Sequence, residues 1–357
     1  MPGAGPAASR HDVGDGTTAV LIIASDDHRG HRYRELHNGE MVDGFERPER
    51  ADVIAAALRA AGHDVVEPDA VDLDLLGRVH TPAYVELLET AWQRWVDAGH
   101  TAPAAMGFSW PTGGFTDREP ADIVGLLGRH SFSADTSIVE GTWAAVASSA
   151  AIATTAADRT LDLGATAYAL CRPPGHHAGK DRFGGYCFVN NAAVAAQRLR
   201  DRGMECVGVL DVDYHHGNGT QEIFGDRADV VTVSIHADPV EEFPWFAGFD
   251  DERGVGEGEG SNLNLPLPRG ASRDEWFGAL AVALDRLRGV DALVVALGVD
   301  TFEGDPLGTF RLTTEDFGSV AGEVSGLGLP TVVVQEGGYE SDDLGRNVAA
   351  FLAGTGS

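Results

Sequence analysis

The feature that most constrains this chain is a recurrence of short, continuous apolar runs, each followed at once by polar or charged residues. The runs are Ala19 to Ala24, Ala167 to Cys171, Val207 to Val212, Val230 to Ile235, Ala292 to Leu297 and Thr331 to Val334. Unbroken runs of this length read as strands buried on both faces, the mark of a parallel sheet. Helical spacing fills the intervals at 48–61, 83–98, 142–157, 191–202, 273–288 and 314–326. The alternation predicts an α/β fold, an open and mostly parallel β-sheet with helices on both faces. Ligands in such sheets bind at the carboxyl ends of the strands. Those ends carry RPPGHH after Cys171, DVDYHH after Leu210, His236 and Asp238 after Ile235, GVD after Leu297 and QEGGY after Val334. The reactive side chains are therefore expected on one rim.

Composition narrows the function. The net charge of −29 over 357 residues argues against nucleic-acid or anionic-membrane partners and favours cationic partners or simply solubility in a salty cytosol. Cys171, Cys187 and Cys206 form no CxxC pair, which suits a reducing compartment. No apolar stretch approaches the roughly 18 residues of a membrane span, and the expectation is a cytoplasmic protein. Residues 1–18 read as a flexible tail without a signal-peptide core. Residues 19–357 read as one domain with a long inserted loop around 100–133, rich in Gly, Pro and Thr. The glycine-rich segment from Gly254 to Gly260 lacks the strand and helix of a phosphate loop, and its acids would repel phosphate. Basic residues are arginines throughout, except Lys180.

The motifs point to metal-assisted hydrolysis. On an extended strand, Asp211, Asp213 and His215 share one face. Asp213 and His215, joined by Asp300 from another strand end, form a plausible three-ligand site with a coordination position to spare. Zn2+ suits it first, and carboxylate-rich sites also accept Fe2+, Co2+ or Mn2+. The tandem imidazoles His176 and His177 suit acid–base work near neutral pH. Asp211 and Asn218 are the available ring partners; the carboxylate would hold one imidazole cationic, and the amide would leave the other free to exchange a proton. Tyr339, after paired glycines, can donate to a developing oxyanion. The aromatic clusters 184–188, with Gly185 and Tyr186, and 243–246, with Phe243, suit a narrow channel for an aliphatic chain.

RPPGHHA, GGYCFVNNAAVAA, DVDYHHGNGTQEIF, VSIHADP, LGVDTFEGDPLG and EGGY together resemble the histone deacetylase superfamily, whose fold is arginase-like. HNGEMVDGFERPERADVI, LLETAWQRW and GTWAAVASSA are similar, more narrowly, to bacterial acetylpolyamine amidohydrolases. The resemblance implies Asp213, His215 and Asp300 as zinc ligands. It implies His177 as general base and then general acid, His176 as its electrostatic partner on Asp211, and Tyr339 as the group polarising the scissile carbonyl. It implies one structural K+ at Asp211, Asp213, His215, Ser234 and Ile235, and a second around Phe224, Arg227 and Val230. Asn218 resembles the class II branch, where other relatives carry Asp. The loop around 100–133 is implied to form a homodimer interface that narrows the channel. The expected substrate is a small cationic acetylated amine, with Glu35, Asp117, Glu119, Asp122 and Asp135 as candidate ammonium partners. Val124 stands at a spot where some polyamine-selective relatives carry an acid, which keeps acetylated protein or peptide lysine as the alternative substrate. A non-catalytic binding protein is disfavoured by the complete residue set. A binuclear arginase-like ureohydrolase is disfavoured because His216 lacks flanking acids.

Overall fold

A computed structural model describes residues 19–116 and 118–356. The expected tail and the candidate Asp117 lie outside the described residues. In chain order the elements are β1 Leu21–Ile23, β2 Arg34–His37, β3 Glu40–Asp43, α1 Pro48–Ala60, β4 Val65–Val66, α2 Leu73–Val79, α3 Pro82–Asp97, α4 Ile123–His130, α5 Thr142–Leu163, β5 Ala167–Ala169, α6 Asn191–Asp201, β6 Val207–Asp211, α7 Asn218–Phe224, β7 Val230–Ala237, β8 Asn262–Leu267, α8 Arg273–Arg286, β9 Ala292–Leu297, α9 Thr314–Ser325, β10 Thr331–Gln335 and α10 Leu344–Gly354.

The main sheet is eight-stranded and parallel, in the order β4-β1-β5-β10-β9-β6-β7-β8. Alternate residues of its strands feed two separate apolar cores. Val332 and Val334 of β10 join Val207, Val209 and Val294 beneath α3, α5 and α6. Val333 joins Leu210, Val295 and Leu297 beneath α1, α8, α9 and α10. Burial on both faces explains why these strands read as uninterrupted apolar runs.

Every expected strand and helix is present, with α5 running on to Leu163. The chain adds elements that apolar periodicity did not mark. The β2–β3 hairpin is half-exposed and polar. α7 spans a Gly-, Asn- and Gln-containing segment and is capped into place by the loop carrying the paired histidines. Within the segment 100–133 lies α4, and a bridge between Ala105 and Ile138 closes the base of the segment. Among the described residues, no helix is long and apolar enough to cross a membrane.

The strand order matters for the site. β5, β10, β9, β6 and β7 are consecutive neighbours in the sheet. The chemistry-bearing loops leave their carboxyl ends, so the five loops meet on one rim although residues 171 and 339 are far apart in sequence.

Candidate metal centre and active site

β6 ends at Asp211, so Asp213 and His215 do not ride the strand pleat as the sequence pattern suggested. Carboxylates hold them instead, each accepting a backbone N–H two residues on. Asp211 Oδ1 accepts from Asp213 N at 3.1 Å, and Asp213 Oδ1 accepts from His215 N at 2.8 Å. Such turns are the ordinary use of Asp outside regular structure. Asp300, from the loop after β9, accepts the N–H of Tyr214 on Oδ1 at 2.9 Å. Its Oδ2 then faces His215 Nδ1 at 3.2 Å, and Asp213 Oδ1 lies 3.3 Å from the same nitrogen. One ligand atom from each of Asp213, His215 and Asp300 falls within 4.8 Å of the others.

This donor set fits a divalent cation. Tetrahedral bonds of 2.0–2.1 Å place neighbouring ligand atoms about 3.3 Å apart, which matches the 3.2 and 3.3 Å from His215 Nδ1 to the two carboxylates. Burial and then Asp213 push Asp300 up to about 7. Burial opposes charge on His215, yet its bonds to Asp213 and Asp300 outweigh that and raise the ring to about 10. A buried Asp–His–Asp group of this kind is stabilised when a cation replaces the proton.

The paired histidines sit beside this cluster, ring centres 4.0 Å apart. His176 Nδ1 donates to Asp211 Oδ2 at 2.9 Å, and its Nε2 lies 3.8 Å from Asp213 Oδ1. Burial disfavours charge there, but Asp213 and Asp211 overcome it and His176 is held well above the ordinary imidazole range. His177 Nδ1 meets Asn218 Oδ1 at 2.8 Å, while the Asn218 amide nitrogen donates to His177 O at 3.3 Å. That amide orientation makes Nδ1 the donor and leaves the Nε2 lone pair free. Burial, then the neighbouring His176 and His215, push His177 well below the ordinary range. The two candidate partners flagged in the sequence are thus divided, carboxylate to His176 and amide to His177.

A cavity of about 620 Å³ opens over these groups and is lined by His177, His215, Tyr339, Gly185, Tyr186, Phe243, Glu35 and Asp135 among others. Gly185 is required where it stands. Its φ is +55°, and a Cβ would come within 2.3 Å of the His177 ring. Phe243 packs edge-on to His177 at 5.0 Å and against Phe132 at 5.9 Å, so Phe132 joins the expected aromatic walls. Trp245 and Phe246 form the outer lip, with Phe246 90% exposed.

The candidate ammonium partners separate clearly. Glu35 is buried in the wall, within 3.4 Å of Tyr33 Oη and of Phe45 N. Burial raises it to about 7, and the neighbouring Asp135 adds to that. Asp135 lines the same cavity, but its Oδ1 is occupied by Ser133, Thr136 and the N–H of Gly185. That places it under Gly185 and Tyr186, as their support. Asp122 caps α4 through Val124 N, and neither it nor Glu119 reaches the cavity lining. Val124 packs half-buried against the apolar core.

The structure also brings in residues that motif reading passed over. Glu336 Oε2 accepts the N–H of Gly175 at 2.6 Å and of His176 at 3.0 Å, tying the histidine turn to the loop of Tyr339. Asp305 accepts the N–H of Tyr339 at 2.7 Å. The acids within QEGGY and EGDP were visible as residues, but their use as backbone acceptors depends on contacts across the sheet.

The histone deacetylase domain model matches residues 44–355. The chain belongs to the histone deacetylase family. It is a hydrolase of the deacetylase class. It is 47% identical over 339 residues to the acetylpolyamine amidohydrolase of Mycoplana ramosa, covering 94% of this chain and 99% of that one. The crystal structure of an acetylpolyamine aminohydrolase from Burkholderia pseudomallei superposes with a TM-score of 0.90 at 41% identity, over 95% of this chain and 99% of that one. The HDA15 HD domain follows at a TM-score of 0.78 and 27% identity, over 93% and 90%. These likenesses bear out the arginase-like α/β expectation.

Proposed function

We propose that this chain hydrolyses N-acetylated polyamines or related small acylated amines to acetate and the free amine. The observation that carries the reading is the meeting, in one cavity, of the Asp213–His215–Asp300 cluster, the free Nε2 of His177, Tyr339 and the wall carboxylate Glu35. The names of the relatives at 43–47% identity agree with it.

Asp213, His215 and Asp300 would hold the metal, zinc in our reading, with Fe2+ and Co2+ the other ions this donor set suits. Bound there, it supplies a Lewis acid for the acyl carbonyl and lowers the pKa of an attacking water. The protein's own groups do the rest. His177 accepts the water proton on Nε2 while Asn218 holds the ring in that tautomer. His176, kept charged by Asp211, stabilises the negative charge that develops beside it. The Tyr339 phenol donates to the carbonyl oxygen as it gains charge. His177 then returns its proton to the leaving amine. Tyr186 and Phe243 grip the aliphatic chain, and Glu35 meets a distal ammonium.

We assign potassium to the sites that the family resemblance implied. Around Asp211, Asp213, His215, Ser234 and Ile235, support comes from the tautomer of His236. Its Nε2 lies 2.9 Å from Gly248 O and must donate, so Nδ1 accepts from Ser234, 2.8 Å away. The Ser234 lone pairs are then left for a cation. The second group, Phe224, Arg227 and Val230, brackets the turn between α7 and β7, with Arg227 N donating to Phe224 O. We read residues 19–357 as one catalytic domain, because the sheet draws strands from both ends of that range. A cytoplasmic homodimer completes the proposal. Phe108 and Phe115 in the 100–133 segment are largely exposed, as is Phe246 on the lip, and a second copy would cover them.

Side-by-side turnover of N-acetylputrescine, N-acetylcadaverine and an acetyl-lysine peptide, with and without chelator, tests the reading. Preference for the small amines, abolished by chelator, is expected. A preference for the peptide would move the function to the lysine deacetylase alternative.

A further inference from the structure

The segment Phe45–Arg50 lies outside the cavity chemistry, yet it sends two buried charges into the floor of the site. Arg50 donates from Nε to Gly338 O at 2.5 Å and from a terminal nitrogen to Glu336 O at 2.7 Å. Its guanidinium lies 4.8 Å from the ring centre of Tyr339. Arg172 opens the turn that carries His176 and His177, and it donates to His28 O and His31 O. Both guanidiniums converge on a single atom, Glu46 Oε1, at 2.7 Å from Arg50 and 2.8 Å from Arg172. All three side chains are buried.

The contacts close a ring. From Arg172 it passes through Glu46 to Arg50, then to the backbone of Glu336 and Gly338. The Glu336 carboxylate returns to Gly175 and His176, in the turn where the ring began. Among the described residues, Glu46 Oε2 is buried with no hydrogen-bond partner, and two like charges share one carboxylate. Burial opposes charge on Glu46, but Arg172 and Arg50 hold it below the usual carboxylate range.

We propose that Glu46 is a positioning residue that fixes the distance between Tyr339 and the His176–His177 turn, by joining the arginine that anchors each. The inference rests on the reading that Tyr339 and His177 perform the chemistry. Turnover by such a pair is sensitive to misplacement of about 1 Å, whereas binding in the channel is not.

The test uses Glu46→Gln, Glu46→Asp, Arg172→Lys and the double variant Glu46→Gln/Arg172→Lys in the full chain. Glu46→Gln is expected to lower kcat by about 10-fold or more with KM within about twofold and metal content unchanged. Glu46→Asp keeps the charge but, one methylene shorter, reaches one guanidinium at a time; it too loses kcat with KM held, and it serves if Glu46→Gln fails to fold. Because the residues act as one clamp, Arg172→Lys costs kcat alone but almost nothing further in the Glu46→Gln background. Hydrogen exchange gives a readout independent of turnover. Residues 172–178 and 336–341 should both exchange faster in either Glu46 variant, while Arg273–Arg286 does not change. Exchange altered in only one segment or in neither, or multiplicative kcat losses in the double variant, would overturn the proposal. Loosening of both segments in a protein that hydrolyses none of the three substrates would leave the clamp standing and sink the functional reading alone.

Discussion

The Nδ1–H of His177 points at the amide oxygen of Asn218 across 2.8 Å, while its neighbour His176 faces a carboxylate at 2.9 Å. Two adjacent imidazoles, ring centres 4.0 Å apart, are thereby driven to opposite protonation states. Asn218→Asp gives His177 an anionic partner and favours its charged form. The acid limb of kcat/KM should then move to higher pH, because the base is protonated over a wider range. A pH–rate profile unchanged from the parent would contradict the assignment of His177 as base.

Tyr339→Phe removes a donor but leaves the Asp213–His215–Asp300 cluster intact. We expect kcat to fall by roughly 10²-fold or more, with metal content unchanged on elemental analysis. Near-normal turnover would remove the phenol from the mechanism.

Asp300→Asn replaces a carboxylate whose Oδ2 faces His215 Nδ1. Metal content should drop from one equivalent toward none, and activity with it. In the unaltered protein, chelator should abolish turnover and added Zn2+, Co2+ or Fe2+ should restore it to different extents. Full activity after verified metal removal would exclude the metal-assisted mechanism.

Glu35 titrates at about 7, raised by burial from 4.5. Its carboxylate forms only as pH rises past that value, so KM for a substrate with a distal ammonium should fall between about pH 6 and 8. Glu35→Gln should raise KM by about 10-fold for acetylputrescine and flatten the pH dependence, with little effect on an uncharged N-alkylacetamide. The same shift has a stability sign. Between pH 4.5 and about 7 the folded chain keeps a proton that the unfolded chain has released. This group's contribution to stability is therefore full below that window and lost across it. Thermal melts of the parent and Glu35→Gln should diverge as pH rises through the window, with the variant gaining relative to the parent.

How much of this was legible in the residues follows from what each part depends on. Strands buried on both faces announce themselves as apolar runs, so β5, β6, β7, β9 and β10 could be read directly, whereas the half-buried edge strand β8 could not. The β2–β3 hairpin could not, because one polar face in water leaves no such run, and yet Glu35 sits on it. The ligand trio was legible as residue types. The reason Asp213 and His215 share a face was not: carboxylate-to-backbone turns hold them, and the pleat ends at Asp211. Glu46 was present in a quoted motif, but its meaning lies in contacts with Arg172, 126 positions away.

The bridge between Ala105 and Ile138 pinches shut the base of the 100–133 excursion, and the five catalytic loops hang from strands that this excursion does not enter. Phe132, near its end, packs on Phe243 in the cavity wall, so the arm reaches the channel while the Asp213–His215–Asp300 cluster rests on other loops. A lineage built on this scaffold could remodel that arm, and with it the range of amines admitted, while the bond-breaking apparatus stays where it is.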